Sequence, residues 1–224
     1  MMDRVEHRRQ LQTERHDALV ALVQRLLAPL SGDERALDVG CGAGALAYAL
    51  APLVGEVVGV DSSEDLVDVA REHAPPGATF VLGDAEALPF PYGDFDLVGC
   101  LRVLHHVRRP ALVVSEIARV TRPGGRILLA DQLGDIDPMR SLELDRFERA
   151  RDPSHTRLLP DADIRGYLDA NDLVVVANEM VEERRDMERY LDVAGLEGEA
   201  RDRVARMAPA VYEVEMGWYV ARKL

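Results

Sequence analysis

A chain of 224 residues suits one domain, with room for an insertion, better than two full domains. Apolar residues make up 47% and charged residues 30%, a globular balance that excludes a disordered or fibrous chain. The net charge of -13, from 27 basic and 40 acidic residues, repels a phosphate backbone and argues against nucleic acid as substrate.

From Thr13 to Leu30 the apolar residues Leu19, Leu22, Val23, Leu26, Leu27 and Leu30 fall at helical spacing, with Glu14, Arg15, Gln24 and Arg25 off the stripe. Ser31-Gly32-Asp33 ends this helix. Ala36 to Val39 then reads as a short buried strand and Ala43 to Leu50 as a helix. Val57 to Val60 is a second strand, followed by a helix that Ser62 or Ser63 caps and that runs to His73. Thr79 to Leu82 and Phe95 to Cys100 are the third and fourth strands. Pro110 opens a helix through Val120, as proline in a first turn should. Arg122-Pro123-Gly124-Gly125 reads as a turn, and Arg126 to Ala130 as a fifth strand.

This alternation predicts an α/β fold with a mostly parallel sheet and helices on both faces. The pattern loosens after Asp131, where a helix from Pro138 to Arg151 precedes an irregular Asp152-Pro153-Ser154-His155. Asp161 to Ala170 is again helical, Leu173 to Ala177 is a sixth strand, and Glu182 to Met207 reads as charged helix broken near Gly195 and Gly198. In the tail, Tyr212, Val214, Met216, Trp218 and Val220 alternate with Glu213, Glu215, Gly217 and Tyr219. Period two predicts a long strand, antiparallel because no crossover helix directly precedes it. One domain spans 1–224, with a helical lid at 1–32, a core at 33–131, an insertion at 132–160 and the rest of the sheet at 161–224.

No stretch reaches the roughly 18 to 20 apolar residues that span a bilayer. The polar first residues lack the apolar run of a secretory signal. Two cysteines, Cys41 and Cys100, make no disulfide framework, and buried thiols in a reducing cytoplasm are the expectation. The histidines are scattered and no Cys-x-x-Cys occurs, so no metal is expected.

The most informative run is Leu37-Asp38-Val39-Gly40-Cys41-Gly42-Ala43-Gly44. Glycines at a strand-to-helix turn let the backbone pass tightly and bring a ligand close to bare amides. Gly40 to Ala45 fits the dinucleotide pattern G-x-G-x-x-A, yet Asp38 would face a pyrophosphate unfavourably and an ammonium group favourably. Asp61 ends the second strand, where a carboxylate can take both hydroxyls of an adenosine ribose. Gly83-Asp84-Ala85 follows the third, where an acid can meet an adenine amine. Each acid alone is a turn or cap residue in its simplest reading. Three at successive carboxyl ends of a parallel sheet describe a ligand site.

With Glu86-Ala87-Leu88-Pro89-Phe90, Phe95-Asp96-Leu97-Val98, Leu104-His105-His106 and Arg122-Pro123-Gly124-Gly125 in order, these residues resemble class I S-adenosylmethionine-dependent methyltransferases. The resemblance is to the ubiquinone/menaquinone C-methyltransferase-like group and is firmest from Leu37 to Asp131. It implies a Rossmann-like, seven-stranded sheet whose last strand is antiparallel. It implies that Gly40, Cys41 and Gly42 pack on the methionine part of S-adenosylmethionine, with Asp38 near its amino group. It places Asp61 on the ribose with Ser62 nearby, and Asp84 and Ala85 around the adenine. Relatives often carry an arginine directly after the position of Cys100. Here Leu101 stands there, offering its backbone to the cofactor, and Arg102 follows.

The expected function is methyl transfer to a small-molecule acceptor, such as a quinone precursor, a sugar or another natural-product intermediate, leaving S-adenosylhomocysteine. His105 and Asp131, ending segments of neighbouring strands, are the candidate catalytic pair, and His106 is read as structural. A homodimer is left open. The rivals are a protein that binds the cofactor without transferring methyl, and a nicotinamide-dependent oxidoreductase.

Overall fold

The computed structural model describes residues 16–209 and 211–224. The expected start of the first helix at Thr13 lies outside the described residues. Helix α1 (His16–Leu27) precedes β1 (Arg35–Val39), α2 (Ala45–Leu50), β2 (Glu56–Asp61), α3 (Glu64–Glu72), β3 (Ala78–Leu82) and β4 (Phe95–Leu101). Then come α4 (Pro110–Val120), β5 (Thr121–Gln132), α5 (Pro138–Arg151), α6 (Asp161–Asp169), β6 (Leu173–Arg184), α7 (Met187–Val193), α8 (Gly198–Met207) and β7 (Glu213–Lys223). The seven strands form one sheet in the order β3-β2-β1-β4-β5-β7-β6. Strands β1 to β5 pair in parallel, whereas β7 runs antiparallel to both β5 and β6.

Central strands are apolar on both sides because helices cover both faces. On one face Val113 and Ile117 of α4 and Ile164 and Leu168 of α6 pack on Leu37, Val98 and Ile127. On the other, Val23 and Leu27 of α1, Leu46 and Leu50 of α2, and Val67 of α3 pack on Ala36, Leu97 and Leu128. Each such side chain contributes about 1.5–3 kcal/mol on burial. The described turns of the expected lid helix are therefore a layer of this core. A third cluster stands apart: Phe147 of α5, Leu191 of α7 and Val204 of α8 gather with Tyr212 and Val214. The insertion thus shares a small core with the segment between β6 and β7.

Local chemistry sets several boundaries. Ser63 caps α3, accepting the Leu66 N–H. Pro110 sits in the first turn of α4, and Lys223 caps the other end, donating to the carbonyls of Ala118 and Thr121 at 2.8 Å each.

Two expectations needed correction. The turn at Arg122–Gly125 is a bulge within β5: Thr121 pairs with Phe95 and Arg126 with Leu97, so the residues between loop out. Strand β6 also continues past Ala177 to Arg184, where a charged helix was expected from Glu182. Pairing with β7 from Asn178 to Arg184 supplies its hydrogen bonds, and its position at the sheet's edge leaves charged side chains in solvent.

Candidate active site

The parallel strands bring their carboxyl ends to one edge of the sheet, and the expected residues collect there. Gly40 and Gly42 have φ of +68° and +54°, the left-handed region that favours glycine. A Cβ on Gly40 would stand 2.4 Å from the Val103 side chain, so the loop is packed tightly against the segment after β4. The loop's amides are largely spent within the protein. Gly40 and Cys41 donate to the Val60 carbonyl at 2.8 and 3.0 Å, Gly42 to Asp61 Oδ2 at 2.8 Å, and Gly44 to the Cys41 carbonyl at 2.9 Å. The buried Asp38 accepts the Ala47 N–H at 2.9 Å, near the start of α2. A pyrophosphate here would meet a carboxylate where it needs free amides. That weighs against the nicotinamide reading.

A cation fits the same place. Burial pushes the Asp38 pKa up to about 8, the Ala47 N–H pulls it back, and the charge of Asp61 adds to the rise. An ammonium group beside it would relieve this carboxylate. Asp61 is half-buried, and its Oδ1 accepts the Ser63 N–H at 2.9 Å. Carboxylate oxygens carry two lone pairs each, so capacity for hydroxyl donors remains. Ser62 and Asp84 are exposed and Ala85 half-buried, while Asp84 Oδ1 holds the Glu86 N–H at 2.8 Å. This edge therefore suits the amino acid, ribose and adenine parts of S-adenosylmethionine.

Other expected residues need refinement. Cys41 belongs with Phe80 to the core on one face and Cys100 with Val98 to the core on the other, and both thiols are free. Burial raises both thiol pKa values, so neither is a ready nucleophile. Only the backbone of Cys41 remains for the loop. The Leu101 side chain packs with the second face. Arg102 has φ of +59°, and its guanidinium reaches both carboxylate oxygens of Glu183 on β6, at 3.0 and 2.9 Å. It is committed to β6.

Further along the same edge β4 and β5 are neighbours, and His105 Nδ1 is hydrogen bonded to Asp131 Oδ1. Asp131 also accepts the backbone N–H of Gln132 at 2.7 Å and of His105 at 3.3 Å. Burial would raise its pKa, but the His105 ring and these donors outweigh burial and hold it below the ordinary carboxylate range. A carboxylate only accepts, so Nδ1 carries the ring hydrogen and Nε2 keeps a lone pair. Sequence position anticipated this pair.

It did not anticipate what surrounds them. The turn after α5 docks on the His105 loop: Thr156 donates its backbone N–H to the His105 carbonyl at 2.8 Å and its hydroxyl to the carbonyls of His105 and Val107 at 2.9 Å each. Ser154 Oγ lies 3.0 Å from His106 Nδ1 and donates to Asp152 Oδ1 at 2.6 Å. His155 Nε2 meets Asp145 at 2.9 Å. Below them Glu148 collects Tyr190 at 2.9 Å, Arg151 at 2.8 Å and the Tyr212 hydroxyl, which Gln132 also reaches at 2.9 Å. The available signal was the spacing of Asp145 and Glu148, which puts two acids on one face of a helix whose inward side should be apolar.

Among the described residues no helix is long and apolar enough to cross a membrane, and no group of three His, Cys, Asp or Glu side chains could hold a metal ion. The strand order with its antiparallel β7 defines the Rossmann-like methyltransferase fold. Residues 37–129 match the family model described as "Methyltransferase domain", and this core is similar to S-adenosylmethionine-dependent methyltransferases. The uncharacterized methyltransferase YcgJ of Bacillus subtilis is 37% identical over 150 residues, 65% of this chain and 59% of that protein. Its crystal structure superposes with a TM-score of 0.82 at 26% identity, covering 93% of this chain and 99% of that one. A ubiquinone biosynthesis O-methyltransferase of Thiobacillus denitrificans is 43% identical over 108 residues, 46% of each chain. The chain thus spans less than two thirds of the length of these curated relatives.

Proposed function

We propose that the chain transfers a methyl group to an oxygen of a small-molecule acceptor, with His105 as general base and Asp131 as its orienting carboxylate. The His105 Nδ1–Asp131 hydrogen bond carries this reading, since it leaves Nε2 as the ring's available base. Asp38, Gly40, Cys41, Gly42, Asp61, Ser62, Asp84, Ala85 and Leu101 hold the cofactor, Asp38 at the ammonium group and Asp61 at the ribose. When bound, S-adenosylmethionine supplies an electrophilic methyl group and leaves as a neutral thioether. His105 Nε2 takes the hydroxyl proton as the acceptor oxygen gains its methyl group, and Asp131 balances the imidazolium charge. Alignment of the two reactants contributes about 7–11 kcal/mol to lowering the barrier. The segment 132–160 forms an acceptor wall. Two buried free thiols suit a reducing, cytoplasmic setting.

Calorimetry with S-adenosylhomocysteine and with nicotinamide dinucleotides tests the cofactor. Only the former should bind, and Asp61→Ala should weaken it about a hundredfold, the loss of two charge-assisted hydrogen bonds. Mass detection of a product heavier by one methyl group tests transfer itself and separates it from mere cofactor binding. Wild-type affinity in a folded Asp61→Ala protein would remove Asp61 from the site.

A further inference from the structure

His106 was expected to be structural, but its surroundings give it the same preparation as His105. We propose that His106 selects the acceptor: its Nε2 stands as a second hydrogen-bond acceptor beside that of His105, so the site takes molecules with two neighbouring hydroxyl groups. This rests on the reading of His105 as the base.

The hydrogens can be assigned one by one. Ser154 Oγ donates to Asp152 at 2.6 Å, so its single hydrogen is spent there, and the 3.0 Å contact with His106 must be made by a hydrogen on Nδ1. His105 likewise commits its Nδ1 hydrogen to Asp131. Both rings therefore present Nε2 as a lone pair. Their centroids lie 4.1 Å apart with the planes tilted by 43°, and both rings are partly exposed. His155, 5.7 Å from His105, has its Nε2 tied to Asp145 in the same manner.

His106 also stays neutral. Burial and the adjacent His105 pull its pKa down to about 4, against the opposing pulls of Asp152, Ser154 and Asp131. A protonated His105 after proton uptake is then followed by no second cation. Two neighbouring lone pairs suit two neighbouring O–H donors. A carboxylate, phosphate or carbonyl brings only acceptors and would leave both nitrogens unsatisfied.

The test uses the full chain saturated with S-adenosylhomocysteine, with nitrogen-15-labelled histidine, and with catechol and phenol as probes. Both His105 and His106 should appear as Nδ1–H tautomers. Catechol should bind about tenfold more tightly than phenol, the difference one neutral hydrogen bond makes, and should shift Nε2 of both rings. In His106→Phe the preference for catechol should vanish, with S-adenosylhomocysteine binding as the check on folding. An Nε2–H tautomer at His106, equal affinity for the two probes, or binding of neither would overturn the inference while leaving the cofactor site intact. Failure of the wild-type chain to bind S-adenosylhomocysteine would overturn the reading of the site, and this inference with it.

Discussion

Around the glycine loop one buried carboxylate, Asp38, stands among apolar side chains, whereas Asp131, Gln132, Asp145, Glu148, Asp152 and His155 are all buried between the end of β5 and the turn after α5. The cofactor half is organised by backbone: glycines in the left-handed region, parallel strands and amides tied to Val60 and Asp61. The half built on the end of β5 and on α5 is organised by side chains that find partners far along the chain, as Glu148 finds Tyr212. Backbone organisation gives a fixed cradle for a ligand of fixed shape. Paired side chains can be exchanged pair by pair, which suits the role proposed for this region as an acceptor wall.

If the halves are separable, lesions in each should have different signatures. The largest effect is expected from Gly42→Val, which forces a β-branched residue to φ of +54°. Calorimetry should detect no S-adenosylhomocysteine binding, while circular dichroism shows a folded chain. Next, His105→Ala should lower turnover about a hundred- to ten-thousandfold with cofactor affinity retained, and Asp131→Asn should lose less. Undiminished turnover in His105→Ala would return the pair to a structural role. Glu148→Ala strands Arg151, Tyr190 and Tyr212 in the third cluster and should cost about 3 kcal/mol in urea unfolding. Loss of S-adenosylhomocysteine binding in that variant, at temperatures where it is folded, would contradict the separation of the halves.

The smallest effect sharpens the cofactor half. With its pKa raised to about 8, Asp38 holds a proton in the free protein at pH 6.5 and must release it to meet an ammonium group. Affinity for S-adenosylhomocysteine should therefore climb with pH below neutrality, by at most about tenfold per unit, with one proton released per molecule bound. Calorimetry in buffers of different ionisation enthalpy measures this, and Asp38→Asn should abolish it. The sign for stability is opposite. A raised acid stabilises the free fold at low pH, and the contribution fades as pH rises through about 8.

The same division governs what could be read from the residues. Strands β1 to β4 fell within a residue or so of expectation because buried parallel strands are short apolar runs closed by glycine, proline or a capping serine. The positions of Asp38 and Asp61, and the meeting of His105 with Asp131, were legible because these residues lie at or just beyond the carboxyl ends of parallel strands, which fixes their place without knowledge of distant contacts. The outer half of β6 was not. Asn178 to Arg184 carries the charges of a solvated helix, and only β7, some 35 residues later, makes it a strand. Likewise the contacts of Asp145 with His155 and of Asp152 with Ser154 and, through it, His106 were not legible, because the irregular stretch Asp152 to His155 gives no periodicity that fixes its partners.

The place of β7 has a consequence for the order of events during synthesis. The ribosome delivers β5 and β6 well before the strand that must lie between them, so each waits with an open edge. Those edges can recruit strands from other unfinished chains. Insertion of residues 213–223 closes both at once, and Lys223 then fastens the new strand to the end of α4. A nascent chain that stalls before Glu213 should therefore display an intact glycine loop and an unfinished sheet, captured more readily by chaperones than by ligand.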